Sequence, residues 1–143
     1  DLAQLQLRIA ANRPLGVTQD QVRFEGHAIE CRINAEDPRD DFRPTPGKLT
    51  AFDFPTDRGP GQVRIDTHLA AGDEVSPHYD SLLAKVIVHA PDRTAAIATM
   101  IACLEHASIE GVKTTIPLHL AVLGSKEFAS GDYDTTTLPG WKA

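Results

Sequence analysis

The chain has 143 residues, 41% of them hydrophobic and 24% charged, with 14 Lys and Arg against 20 Asp and Glu for a formal net charge of -6. That length supports one domain with a real core, and an acidic balance leaves no basic excess to neutralise phosphates, which argues against nucleic acid as a partner. No apolar run approaches the roughly 18 residues that a membrane span requires, and DLAQLQLRIAA has no basic segment leading into a plain apolar core, so neither a membrane association nor a secretory leader is expected.

Residues 1–12 predict a helix, with Leu2, Leu5, Leu7 and Ile9 on or near one stripe, stopped by Asn12 and Pro14. A helix this short is marginal alone in water and needs something to pack on. The chain opens without Met, so it is expected to be a piece of a longer polypeptide. Gly26 opens a strand over 27–34, in which Ile29, Cys31 and Ile33 alternate with Glu30, Arg32 and Asn34. EDPRDDFRPTPG (36–47) predicts a loop, KLTAFDF (48–54) a second strand, TDRGPGQ a turn, VRIDTHL (63–69) a third strand and SLLAKVIVHA (81–90) a fourth, nearly all apolar. Strands this close in sequence imply an antiparallel sheet.

Helical patterning follows. Asp92 can cap RTAAIATMIACLEHA, with Ile97, Met100, Ile101 and Leu104 at helical spacing. IEGV is a short extended link. Thr114 or Thr115 can cap a helix through Leu123, with Pro117 in its first turn and Gly124 at its end. The tail GDYDTTTLPGWKA predicts no regular element. The expected fold class is α+β, an antiparallel sheet with helices packed on it.

Most chemical readings fall to simpler ones. RGPGQ lacks GK[ST], G-x-G-x-x-G and a following helix, and reads as a turn. The six histidines form no HExxH and no tight Cys/His cluster, so no metal site is expected within this chain. Cys31 and Cys103 fit no CxxC motif and read as buried thiols of a reducing cytoplasm. The polar face of strand 27–34 remains. Its bland reading is a solvent-facing surface. Glu30 and Asn34 each stand about 7 Å from Arg32 along the strand, close enough to orient a guanidinium, and an oriented Arg stabilises a developing oxyanion.

HAIECRINAEDP followed by FRPTPGKLT closely resembles the C-terminal domain of biotin carboxylase, an ATP-grasp enzyme. DLAQLQLRIAANRPL resembles the helix that follows the family's catalytic core, GQVRIDTHLAAGDEVSPHYDSLLAKVIV resembles its run ending in YDS-x-x-x-K, and IEGVKTTIPLH resembles its GxxTN helix start. The resemblance implies that residues 1–15 continue from an upstream ATP-grasp domain and that 16–143 form the C-terminal domain. It implies an upstream domain that binds ATP and Mg or Mn and carries the bicarbonate base, so that this chain alone is inactive. ATP and bicarbonate then give carboxyphosphate, which releases CO2 beside biotin, and biotin loses its ureido N1′ proton and attacks.

The same resemblance places Arg32 against the ureido oxygen, as the catalytic and substrate-binding residue. It assigns Asp80, in HYDS, to the biotin side of the site, Arg64, in QVRID, to a homodimer interface, and Thr135, in DTTTL, to a tail that reaches back towards the adenine pocket. Implied partners are a biotin carboxyl carrier protein, carboxyltransferase subunits and a second copy of the chain, within a cytoplasmic acyl-CoA carboxylase such as the acetyl-CoA carboxylase of fatty acid biosynthesis. The sequence departs from the family pattern at Thr115, where Asn is frequent, and at Gln62, where Gly is frequent. The alternative is a purely structural, dimerising module with all chemistry upstream.

Overall fold

The computed structural model describes residues 1–136 and 139–141; of the tail, Thr137, Leu138, Lys142 and Ala143 lie outside the described residues. The elements in chain order are α1 (Leu2–Ala10), a short 3-10 turn (Gln19–Gln21), β1 (His27–Asn34), β2 (Glu36–Asp37), β3 (Arg43–Pro44), β4 (Gly47–Lys48), β5 (Ala51–Asp53), β6 (Gln62–Asp66), β7 (Glu74–Val75), β8 (Leu82–Ala90), α2 (Arg93–Glu105), β9 (Ser108–Glu110), α3 (Ile116–Leu123) and α4 (Lys126–Ser130).

The main sheet has the order β1-β8-β6, all antiparallel. The alternation expected of β1 is realised: Ile29, Cys31 and Ile33 are buried, while Glu30 and Arg32 are exposed. α2 covers the apolar face. Asp92 caps it, its carboxylate accepting from the Ala95 N–H at 2.8 Å. The buried stripe is Ala96, Thr99, Met100, Cys103 and Leu104, with Ile97 and Ile101 only partly buried. The stripe is rotated from the expected one because small residues bring the helix close to the chain beneath it. The Thr99 hydroxyl accepts from the Gly61 N–H at 2.9 Å, and a Cβ on Gly59 would meet Thr99 Oγ1 at 2.8 Å. The glycines of RGPGQ therefore serve a tight packing of the turn against α2.

Several expectations change, and one element is added. The strand over 48–54 is two strands with different partners: β4 pairs with β7, and β5 pairs with β9. The switch falls at Leu49 and Thr50, whose amides donate to Asp73 and Glu110 respectively, each at 2.9 Å. The link IEGV contributes β9 to that second ladder, and loop 36–47 closes on itself through the β2–β3 pair. Finally, residues 126–130 form α4, capped by Ser125, whose hydroxyl accepts from the Phe128 N–H at 3.1 Å. Phe128 sits under the Arg93 guanidinium, 4.6 Å from ring centroid to Cζ, and stacks on Tyr133.

α1 has the predicted register but buries none of its residues: Leu2 is 81% exposed and Leu7 71%. Phe24, in the segment that leads into β1, is 98% exposed. Among the described residues no helix is long and apolar enough to cross a membrane.

Candidate functional site

In the sheet order β1-β8-β6 the face away from α2 carries a grid of side chains set by register. Glu30 lies opposite Ile87 and Ile87 opposite Arg64; Arg32 lies opposite Lys85 and Lys85 opposite Asp66. Period-two geometry puts all of these on one face. Arg32 and Lys85 are like charges directly across a ladder, a pairing that costs energy unless something electronegative lies between or above them. Among the described residues the Arg32 side chain makes no hydrogen bond or ion pair.

The expected clamp of Arg32 by Glu30 and Asn34 is not formed. The Asn34 amide instead donates to Ser81 Oγ at 3.0 Å and to Glu36 Oε1 at 3.3 Å, and the Ser81 hydroxyl also donates to Glu36. A bulge between Ile33 and Asn34 turns the end of the strand towards this cluster. The Ala35 N–H donates to the Ser81 carbonyl at 2.7 Å, so the strand end and the HYDS loop are stitched together.

Arg32 is oriented through its backbone. β1 is an edge strand, so every second residue has an N–H and a carbonyl that point away from the sheet. At Arg32 and Asn34 these groups meet the start of α3. The Asn34 N–H donates to Thr115 Oγ1 at 3.0 Å, and the Thr115 N–H donates to the Asn34 carbonyl at 3.1 Å. The Arg32 carbonyl accepts from Thr115 Oγ1 at 3.2 Å and from His119 Nε2 at 2.8 Å. A carbonyl can only accept, so His119 carries its proton on Nε2. Burial holds the His119 ring below its ordinary pKa of 6.5, partly opposed by that backbone bond. Thr115 is the residue that precedes α3, but its hydroxyl is spent on β1; it is the Thr114 hydroxyl that accepts from the Ile116 N–H, at 3.4 Å.

The other expected residues sit differently. Asp80 is exposed in the loop before β8, its carboxylate accepting from the Leu82 N–H at 2.7 Å. Leu82 pairs with Asn34, so Asp80 flanks the end of β1 that Arg32 occupies. Arg64 is exposed on the open face of β6 and bonds Asp66 on its own strand at 3.0 Å. Thr135 is exposed in the segment after α4. That segment is anchored by Tyr133 on Phe128, and Phe128 is tied through Arg93 to His27 at the opposite end of β1. The described contacts thus bring Asp80, but not the anchor of the tail, to the Arg32 end of the strand.

Sequence reasoning missed Asp37, Lys113 and His119. Lys113 donates to Asp37 Oδ2 at 2.5 Å, and the Arg39 N–H donates to Asp37 Oδ1 at 3.0 Å, which together hold this carboxyl below its ordinary range. With Pro38, Arg39, Thr114 and Pro117 they line a cavity of about 450 Å³ beside the α3 start. Their partners are 76 and 87 positions distant in the chain, and no local pattern announces such a pairing. Cys31 and Cys103 are free and buried, as expected. Burial pushes the Cys31 thiol up to about 12, with Cys103 and Glu30 adding to the shift, so it is no nucleophile at neutral pH.

The pattern that defines the biotin carboxylase C-terminal domain matches residues 30–140. The chain is 47% identical over 136 residues to a biotin carboxylase of Nostoc sp., covering 95% of this chain and 30% of that protein. It is 43% identical over 138 residues to biotin carboxylase 1 of Bacillus subtilis, covering 96% of this chain and 30% of that protein. Its fold is similar, with a TM-score of 0.86 and 42% identity, to the biotin carboxylase domain dimer of Hydrogenobacter thermophilus 2-oxoglutarate carboxylase, solved with MgADP, ADP and bicarbonate; the match covers 94% of this chain and 29% of that one. The chain thus spans about 30% of the length of the curated relatives it matches.

Proposed function

Because the chain belongs to the biotin carboxylase C-terminal domain family, we propose that it is the C-terminal part of a biotin carboxylase, a ligase that carboxylates biotin on a carrier protein using ATP and bicarbonate. The observation that carries this reading is the Arg32 guanidinium: exposed, without a partner among the described residues, beside Lys85, on a strand pinned along both edges. Residues 1–15 then dock on an upstream ATP-grasp domain, which accounts for a helix that buries none of its apolar residues. In this reading most of the contacts to ATP and its metal come from that upstream part.

The residues present fit biotin. Biotin supplies a ureido group whose oxygen gains negative charge as its nitrogen is deprotonated. Arg32 presents a planar, permanently charged donor to that oxygen, and the like charge of Lys85 opposite makes an electronegative group welcome there. Because the donor is already in place, little reorganisation accompanies the chemistry. Asp80 flanks the same end and borders the approach for biotin. Thr135 is proposed to contribute to the adenine pocket of the whole enzyme, from a tail segment that leaves the anchor at Phe128. In the full-length protein, Arg32→Ala should lower biotin carboxylation by roughly 100- to 1,000-fold, about 3–4 kcal/mol in activation free energy, with ATP binding kept. Unchanged carboxylation would leave the structural, dimerising reading in its place.

The open face supports a homodimer as well. β6 is an unpaired edge, and Ile87 is an apolar centre framed by Glu30 and Arg64, a surface suited to a second copy. The biotin carboxyl carrier protein and carboxyltransferase are the proposed hetero-partners. The finer assignment is to an acyl-CoA carboxylase of the cytoplasm, although pyruvate and 2-oxoglutarate carboxylases are among the relatives. Replacing the acyl-CoA by pyruvate or 2-oxoglutarate in an assay of the assembled holoenzyme tests that choice.

A further inference from the structure

We propose that His119 is a positioning residue for Arg32: by donating from Nε2 to the Arg32 carbonyl, it fixes the strand end from which the guanidinium reaches biotin. The inference rests on the role proposed for Arg32 and adds to it the means by which that side chain is aimed. Towards β8, the strand ladder holds β1 in register up to Ile33. At the bulge that follows, the regular register is lost, and an edge strand that loses it is free to twist. The outer edge is where α3 acts. His119 reaches the Arg32 carbonyl at 2.8 Å, and Thr115 Oγ1 reaches it at 3.2 Å while also accepting from Asn34.

The two donors differ in what they can hold. Thr115 touches β1 from the N-cap position just before α3, through a hydroxyl already shared between two partners. His119 stands four residues further on, in the first turn of α3, and among the described residues its ring bonds only the Arg32 carbonyl. Its own amide donates to the Thr115 carbonyl at 3.1 Å, which ties its backbone to the start of α3. Both bonds end on one atom, the Arg32 carbonyl oxygen, reached from two positions along α3. Without His119 that oxygen keeps only the longer bond from the Thr115 hydroxyl, which also accepts from Asn34, so the outer edge holds the Arg32 peptide less tightly and it can tilt. A guanidinium stands several bonds from its backbone, so a small rotation becomes a displacement on the order of 1 Å at the charge, enough to cost a large factor in rate.

Two replacements of similar length separate donor from packing. Gln places an amide nitrogen where Nε2 was and keeps the bond; Leu keeps apolar volume and removes the donor. The test is steady-state kinetics of the full-length protein with free biotin, run beside bicarbonate-dependent ATP hydrolysis without biotin. For His119→Leu the expected result is a drop in kcat for biotin of about tenfold or more, with ATP hydrolysis within about twofold of the unaltered enzyme. His119→Gln should recover to within about threefold. A drop under about fivefold in His119→Leu, a Gln variant no better than the Leu variant, or parallel loss of ATP hydrolysis would overturn the inference. Arg32→Ala, measured in the same series, separates the two claims: if it is inactive while His119→Leu is normal, only the positioning role fails; if Arg32→Ala is active, the reading of Arg32 itself fails.

Discussion

Gly111 offers a test of the scaffold that carries Lys113, Thr115 and His119. Its φ is +99°, and a Cβ built there would lie 1.9 Å from the Lys48 carbonyl oxygen and 3.0 Å from its carbon. Neither neighbour is the end of a flexible side chain, so the Lys48–Thr50 backbone must move by about 1 Å. That segment is where the chain switches from β4 to β5: the Thr50 N–H donates to Glu110 at 2.9 Å, and Leu49 is fully buried. For Gly111→Ala the positive φ alone costs about 1–2 kcal/mol. Displacing the backbone weakens the Thr50–Glu110 bond and the packing of Leu49, about 2–3 kcal/mol more. The sum is about 3–5 kcal/mol, a large share of the roughly 5–15 kcal/mol typical of a domain. Gly72 is the control, with φ +100° and nothing within 4 Å of a built Cβ. Gly72→Ala should therefore cost only the backbone term, about 1–2 kcal/mol. Urea unfolding followed by far-UV circular dichroism reads both variants. Equal losses in the two, at unchanged m-values, would refute the reasoning, because the difference between them is the clash.

Other expectations follow from the titrating and charged groups. Cys31 is held near 12 against an ordinary 9.0, so the unfolded chain releases this proton first; its contribution is complete below about pH 9 and is lost as pH rises towards 12. Cys31→Val should flatten the alkaline limb of a stability–pH curve, and the thiol should resist iodoacetamide at pH 8 until the chain is unfolded. Asp37 is held below its ordinary 3.8, so its pairing with Lys113 contributes above that value and is lost as pH falls through the lower, folded one; Asp37→Asn should make acid unfolding less steep. Arg64→Glu would place a third carboxylate on the open sheet face that carries Asp66 and Glu30, and sedimentation should then show the proposed dimer shifted towards monomer.

The site was partly legible in the sequence, for reasons that differ residue by residue. The alternation of Ile29, Cys31 and Ile33 with Glu30 and Arg32 reports a strand with one buried face, and it is local, so it survives without tertiary knowledge. The same locality misled the reading of Asn34, whose neighbours in sequence suggested a clamp on Arg32 and whose actual partners are Glu36 and Ser81. KLTAFDF reads as one strand because its composition is uniform; the exchange of partner at Leu49–Thr50 depends on β7 and β9, which arrive later in the chain.

By itself, then, the sequence determined the elements whose cause is periodic or local: β1 and β8 within a residue of their bounds, α2 from its Asp92 cap, α3 from Pro117 to Gly124, and the face on which Arg32 stands. Motif resemblance added the family. Tertiary structure alone decided how Arg32 is aimed. The strand's outer edge needs partners for its backbone groups, and those partners, Thr115 and His119, are brought there by a helix more than 80 residues away in the chain. A hydrogen bond at that separation leaves no period and no spacing to read, because its geometry exists only once the sheet has formed and α3 has closed its edge.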